Sequence, residues 1–222
     1  MPRRLPLVSI ALLLCLPACR RSPEAEPAAS KDEPPKPATR EQPSSAAPGE
    51  DIDQLRAEAR ALTDRFRSQL ESELLGVIEA EGGSPAKAIA VCQVEAPKIA
   101  ASMSEDGWTV GRTAPRVRNP DNAPNEWQRR GLAHFAEAIA QAGENPDIAA
   151  LEWHEIEEGP RGQRLLYMRA IPMGGLCLAC HGPIDQLDET VREQLAALYP
   201  KDEATGFAVG ELRGAFVVTK QL

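Results

Sequence analysis

Residues 150–182 read ALEWHEIEEGPRGQRLLYMRAIPMGGLCLACHG. Residues 150–157 and 164–171 have the length and the aromatic and aliphatic content of two strands, and Gly159-Pro160-Arg161-Gly162 between them is turn chemistry, so the pair reads as a hairpin. The hairpin runs directly into Cys177-Leu178-Ala179-Cys180-His181. A hairpin followed by a two-thiol turn is not a βαβ unit, and this decides the fold class: strands pair antiparallel with their sequence neighbours, and helices must cover them from outside.

The five residues of the turn carry the chemistry. Two thiols separated by two residues and followed at once by histidine form the attachment signature of a c-type haem. Thiols one turn apart can add to the two vinyl groups on one edge of a porphyrin, and the adjacent imidazole then lies under the iron as its proximal ligand. Gly175 before the turn and Gly182-Pro183 after it suit a tight backbone path beside a flat cofactor. Three other readings compete. A structural zinc site needs two further Cys or His ligands, usually as a second close pair, and the sequence has no second CxxC and no HxxxH. A thioredoxin-like dithiol sits after a strand in a βαβ pattern, which is missing. A bare disulfide across CxxC closes too small a loop to stabilise much. The expected cofactor is one covalent haem c on Cys177, Cys180 and His181.

Towards the N-terminus, residues 1–18 combine Arg3 and Arg4, an apolar run over 5–16 and small residues, an export signal too short for a permanent span. Leu16-Pro17-Ala18-Cys19 resembles a lipobox, which makes Cys19 the expected lipidation site. Pro17 is unusual there, and ordinary signal-peptidase cleavage is the alternative. Residues 19–50 are rich in Pro, Ala, Ser, Glu and Lys with almost no large apolar side chain, a disordered tether. Residues 51–222 are enough for one domain with a sizeable core. The net charge of −8 becomes −10 once Arg3 and Arg4 leave with the signal, which argues against nucleic acid or an anionic lipid surface as partner.

Ile52, Leu55, Ala59, Leu62, Phe66, Leu70, Leu74 and Ile78 recur at three- and four-residue steps, predicting a long N-terminal amphipathic helix that ends at Gly82-Gly83. Ser84-Pro85 reads as the start of a second helix reaching about residue 101, with Ile89, Cys92, Ala96 and Ile99 on one face. Residues 108–111 form a short strand, and Asn125 caps a third helix with Leu132, Phe135 and Ile139 inward. Residues 190–198 are a fourth helix and 214–220 a closing strand. The fold class expected is α+β, an antiparallel sheet flanked by helices.

Five segments carry a family resemblance. Arg112-Thr113, Arg118-Asn119-Pro120-Asp121-Asn122-Ala123-Pro124 with Trp127, Cys177 to Gly182, Tyr199-Pro200-Lys201-Asp202-Glu203-Ala204-Thr205-Gly206-Phe207 and Gly210-Glu211-Leu212-Arg213-Gly214-Ala215 together resemble the single-haem c-type domain with a PAS-like fold. The resemblance covers most of residues 86–219, and Glu211 stands where Asp is expected. That family occurs alone behind export signals and as the extracytoplasmic input of sensor kinases. The resemblance implies a PAS-like antiparallel sheet holding one haem, and signalling or electron transfer as the role.

Arg112, Arg116, Arg118 and Arg213 are candidates to pair with haem propionates, because guanidinium matches a carboxylate with two parallel hydrogen bonds; bracing a loop is the alternative for each. Trp127, Tyr199 and Phe207 are core or pocket wall. For the sixth iron ligand the choices are His134, His154, Met103, Met168, Met173 and Cys92. Cysteine arithmetic favours Cys92: Cys15 leaves with the signal, Cys19 takes lipid, Cys177 and Cys180 hold haem, and a leftover thiol in an oxidising compartment is buried or ligated. The resemblance implies the same, since the family uses His/Cys axial coordination and Cys92 matches its cysteine.

Function follows in two classes. The first is a non-enzymatic periplasmic redox or small-ligand sensor, which requires a signalling partner protein because the sequence carries no kinase or other output domain. The second is a lipid-anchored electron carrier whose tether lets one haem visit several redox partners. A peroxidase-like enzyme needs an open iron site and a distal acid–base pair, and no His/Arg spacing supplies one.

Overall fold

The computed structural model describes residues 48–80, 82 and 84–222. The expected export signal, the lipid site at Cys19 and the tether up to residue 47 lie outside the described residues. Helix α1 (Pro48–Ala80) runs 33 residues, about 50 Å at ~1.5 Å per residue. The expected periodicity decides which side faces inward. Ala59, Leu62, Phe66 and Leu70 are buried, and Leu55 and Leu74 pack at the edges of the same stripe.

That stripe lies on a four-stranded antiparallel sheet of order β1-β4-β3-β2, built from β1 (Trp108–Thr113), β2 (Glu152–Gly159), β3 (Gly162–Pro172) and β4 (Leu212–Gln221). The hairpin β2–β3 pairs Gly159 with Gly162 across the Pro160-Arg161 tip, as its turn chemistry predicts. Alternation along the strands gives the sheet two buried faces. Val110, Leu165, Tyr167, Phe216 and Val218 meet α1 and helix α2 (Ala88–Ser102). Leu166, Met168, Ala170, Ala215 and Val217 meet Trp127, Leu132 and Phe135 of helix α3 (Glu126–Gln141). Burial on both faces explains why β3 reads as the unbroken apolar run Leu165-Leu166-Tyr167-Met168 instead of an alternating strand.

Local chemistry fixes the helix ends. The Asn125 side chain accepts from the Gln128 amide while the Gln128 side chain accepts from the Asn125 amide, a capping box that starts α3. The second helix begins at Ala88, later than the expected Ser84-Pro85. The amides of Ala88, Ile89 and Ala90 bond to carbonyls three residues back, which makes residues 85–87 a tight turn, and Ser84 Oγ reaches only the Ala86 amide at 3.5 Å. Helix α4 (Leu178–His181) is one turn, and α5 (Glu189–Leu198) is capped by Asp188, whose side chain accepts from the Thr190 amide. Val191 and Leu195 of α5 pack with Ala86 and Ile89 and so hold the start of α2 against the two-thiol turn. Two ion pairs clamp α1 to the sheet: Arg60 with Glu152 at 2.5 and 2.7 Å, and Arg169 with Asp64 at 2.7 Å. The result is the expected α+β architecture, an antiparallel sheet flanked by helices with a long N-terminal helix. Among the described residues no helix is long and apolar enough to cross a membrane.

Candidate functional site

A cavity of about 520 Å³ opens where the C-terminal half of α1, the start of α2, the end of β3 and the two-thiol turn converge. Leu70, Leu74 and Ile78 give it one apolar wall, and Cys92 projects from α2 on another. Its volume falls within the ~300–1,000 Å³ usual for small-molecule and cofactor sites.

The turn is positioned from below by a second loop. The Gly206 amide donates to the Gly182 carbonyl at 2.7 Å and the Phe207 amide to the His181 carbonyl at 3.0 Å, so residues 204–207 run alongside the end of α4. Gly182 has no substitute there, because a Cβ would sit 2.7 Å from the Leu178 carbonyl oxygen. Phe207 meets the His181 ring edge-on, with centroids 6.4 Å apart. Arg116 lies 4.0 Å over the other aromatic partner of this stack, the Phe207 ring, and its Nε donates to the Glu203 carbonyl.

His181 is the best-determined group of the site. Its Nδ1 lies 2.6 Å from the carbonyl oxygen of Ala204. A carbonyl can only accept, so Nδ1 carries the proton and Nε2 keeps a free lone pair. Burial, reinforced by the positive charges of Arg213 and Arg118, holds the imidazole well below its ordinary pKa, and the ring is neutral at pH 7. A backbone carbonyl fixing one ring nitrogen while the other is left as donor is the arrangement metal-ligating histidines use.

Cys177 and Cys180 of the same turn, and Cys92 of α2, are free thiols that border the cavity with His181. Burial pushes the Cys180 thiol up to about 11, which keeps it protonated. Among the described residues no three His, Cys, Asp or Glu side chains are grouped to hold a metal ion by themselves.

The expected site residues separate by location. Cys92, Arg112, Arg118, Cys177, Cys180, His181, Tyr199 and Arg213 all border the cavity, whereas Arg116 does not. His134 on α3 and His154 on β2 are exposed on other surfaces, Met168 is packed in the core under α3, Met173 is buried with Ala204 and Phe207, and Met103 packs against the α1 face of the core. Of the six side chains considered for the position opposite His181, only Cys92 borders the cavity among the described residues. Trp127 belongs to the core on the far face of the sheet, stacked on Trp153.

The arginines have different surroundings. Arg118 is 8% exposed; its Nε and Nη2 lie 3.1 and 3.0 Å from Asp202 Oδ2, and Nη2 also donates to the carbonyls of Cys180 at 2.6 Å and Ala204 at 3.2 Å. It therefore braces the turn, and it shares the Ala204 carbonyl with His181. Arg213 donates to the Arg116 carbonyl, and burial beside Arg118 and Arg112 lowers it to about 10. Arg112 keeps some open surface, yet burial lowers its pKa, because that surface faces the cavity. The roles of Asp202 and of the Ala204 carbonyl were not assigned from sequence. The signal was an acidic loop, Asp202-Glu203, set against an arginine-rich one, residues 112–118.

A helix-flanked antiparallel sheet with a two-thiol, one-imidazole turn on the wall of an apolar cavity defines a cofactor-cradle domain. The sequence model of the Tll0287-like family matches residues 42–220, and the chain belongs to that family. Among solved structures it is similar to the crystal structure of the cyanobacterial heme-protein Tll0287, with 25% sequence identity and a TM-score of 0.52 over 74% of this chain and 96% of that one. No curated protein matches the chain.

Proposed function

We propose that this chain binds one haem c covalently through Cys177 and Cys180, with His181 as proximal ligand and Cys92 opposite, and that it acts as an exported, non-enzymatic redox or small-ligand sensor. The observation that carries the reading is the fixed tautomer of His181. Its Nδ1–H is held by the Ala204 carbonyl, its Nε2 lone pair is left free, and the two free thiols of the same turn border the cavity with it. The surrounding residues fit the group. Arg112, Arg118 and Arg213 against Asp202 leave an excess of positive charge that suits a cofactor bearing two carboxylates, and the buried Tyr199 hydroxyl has no hydrogen-bond partner.

Bound there, haem supplies a redox-active iron; the chain's residues orient it, exclude water and set its charge environment. His181 ligates from the α4 side, its ring fixed by Ala204 and Phe207. Cys92 is presented by α2, which α5 holds in place. As a thiolate, Cys92 would favour ferric iron and lower its potential, the kind of ligand whose hold depends on redox state and proton uptake and so suits a sensor. Lipidation at Cys19 and export to the periplasm complete the reading, with a signalling protein as partner.

The central experiment is haem staining after denaturing electrophoresis of the exported protein. The stain stays with the polypeptide, and the Cys177→Ala/Cys180→Ala variant loses it. Stain that runs off with the dye front, or zinc in the purified protein, overturns the reading.

A further inference from the structure

The wall around Cys92 holds two polar groups without partners. The Arg112 guanidinium packs over the Phe66 ring at 5.7 Å and borders the cavity. No ion pair ties it to a described carboxylate, and its electrostatic neighbours include Cys92, Tyr199 and Arg213. The Tyr199 side chain is 6% exposed, and its hydroxyl finds no hydrogen-bond partner. Its electrostatic neighbours are Cys92 first, then Arg118 and Arg112. A buried hydroxyl without a partner costs stability, so Tyr199 awaits a partner that belongs to the loaded site, while Arg112 keeps open surface toward the cavity from which to reach one.

The three cavity arginines differ in their neighbours. Arg118 is tied to Asp202 and to two carbonyls. Arg213 acts most strongly on His181 and Arg112 least, while Cys92 is the charge neighbour that matters most to Arg112. Arg112 and Tyr199 therefore border the cavity together with Cys92 and neighbour it electrostatically.

We infer that Arg112 and Tyr199 form an anion-binding pair at the cavity wall, which selects small anionic ligands for the iron position that Cys92 gives up. The inference rests on the haem reading above. While the Cys92 sulfur is a thiolate ligand, its charge offsets Arg112. In the exchange the iron–sulfur bond breaks with its electron pair staying on sulfur, which then takes a proton from water. A new bond forms from the lone pair of the incoming ligand, and no electron is transferred. An incoming anion restores the charge opposite Arg112, and a neutral ligand leaves it bare. The guanidinium can donate to an anion with charge-assisted hydrogen bonds, and the Tyr199 O–H adds a neutral one. The ligand class is a small inorganic anion with a lone pair for iron and a second acceptor atom, such as azide or nitrite.

The test uses the full-length, haem-loaded Cys92→Ala protein, titrated in the ferric state with azide as the anionic probe and imidazole as the neutral one. Adding Arg112→Gln weakens azide by about tenfold or more, and adding Tyr199→Phe by about threefold, with imidazole unchanged within about twofold. Arg112→Lys, which keeps the charge, recovers part of the azide affinity and guards against a misfolded Gln variant. Equal loss of azide and imidazole means the pair only braces the site and overturns the inference. So does unchanged azide affinity, or a Cys92→Ala haem that takes up no azide. Absence of covalent haem stain overturns the haem reading itself; retained stain with any of the other negative results overturns this inference alone.

Discussion

Replacing Arg118 by alanine tests how the two-thiol turn is held. The substitution leaves Asp202, whose side chain is 10% exposed, without its counter-ion, and strips a donor from the carbonyls of Cys180 and Ala204. Breaking a buried, hydrogen-bonded ion pair from one side costs about 3–5 kcal/mol, because the charge left behind is uncompensated. For a domain of this length each kcal/mol moves the melting point by about 2–4 °C, so a drop of about 6–20 °C is expected. Thermal unfolding of the haem-loaded protein, followed by far-UV circular dichroism, reads it directly. Asp202→Ala falls into the same range. The double variant Arg118→Met/Asp202→Leu recovers much of the loss, since neither charge remains to be buried. A melting point for Arg118→Ala within about 2 °C of the parent, or strictly additive losses in the double variant, refutes the assignment of Arg118 as the brace of the turn.

Cys92→Ala keeps the covalent haem but changes the ferric absorption spectrum and raises the reduction potential; a spectrum indistinguishable from the parent's makes Cys92 an ordinary core thiol. Cys19→Ser moves the protein from the membrane fraction to the soluble periplasm without altering its haem spectrum, and equal membrane retention of the variant rules out the lipid anchor. Gly214→Ala drives a Cβ into the Thr113 carbonyl and to 3.0 Å from the Ala114 Cβ, both on neighbouring backbone that cannot swing aside. It lowers stability by about 1–3 kcal/mol, measured by denaturant unfolding, and an unchanged midpoint contradicts the close approach of β4 to the end of β1.

The elements that carry their own pattern were legible before the structure. The three- and four-residue steps from Leu55 to Leu74 define the inner stripe of α1, and Gly159 to Gly162 defines the hairpin tip. The two-thiol turn is legible as a motif in five residues because its spacing is local, and Cys177, Cys180 and His181 border one cavity. What the sequence conceals is pairing at a distance. Arg118 and Asp202 are 84 residues apart, so of the two roles open to this guanidinium in the sequence, pairing with cofactor carboxylates or bracing a loop, the bracing contact on the loop that orients His181 becomes visible only in the folded chain. The start of α2 was read too early because Ser84-Pro85 looks like a cap and first turn, while the backbone there uses tighter three-residue hydrogen bonds. Tyr199 was rightly counted among core or wall residues, but nothing in Tyr199-Pro200 reveals that its hydroxyl is left without a partner.

The length of α1 gives the cavity a mechanical neighbour. Phe66, 1% exposed and set edge-on against Phe216 at 5.8 Å, lies on the helix between the clamps at Arg60 and Asp64 and the cavity-wall residues Leu70, Leu74 and Ile78. Ile78, on the cavity wall, lies twelve residues beyond it, about 18 Å along the axis, and Ile52 lies fourteen residues before it, about 21 Å. One rigid helix thus carries both the cavity wall and the sheet clamp, so the place of Leu70, Leu74 and Ile78 at the wall is set by packing and ion pairs one or more turns away from them.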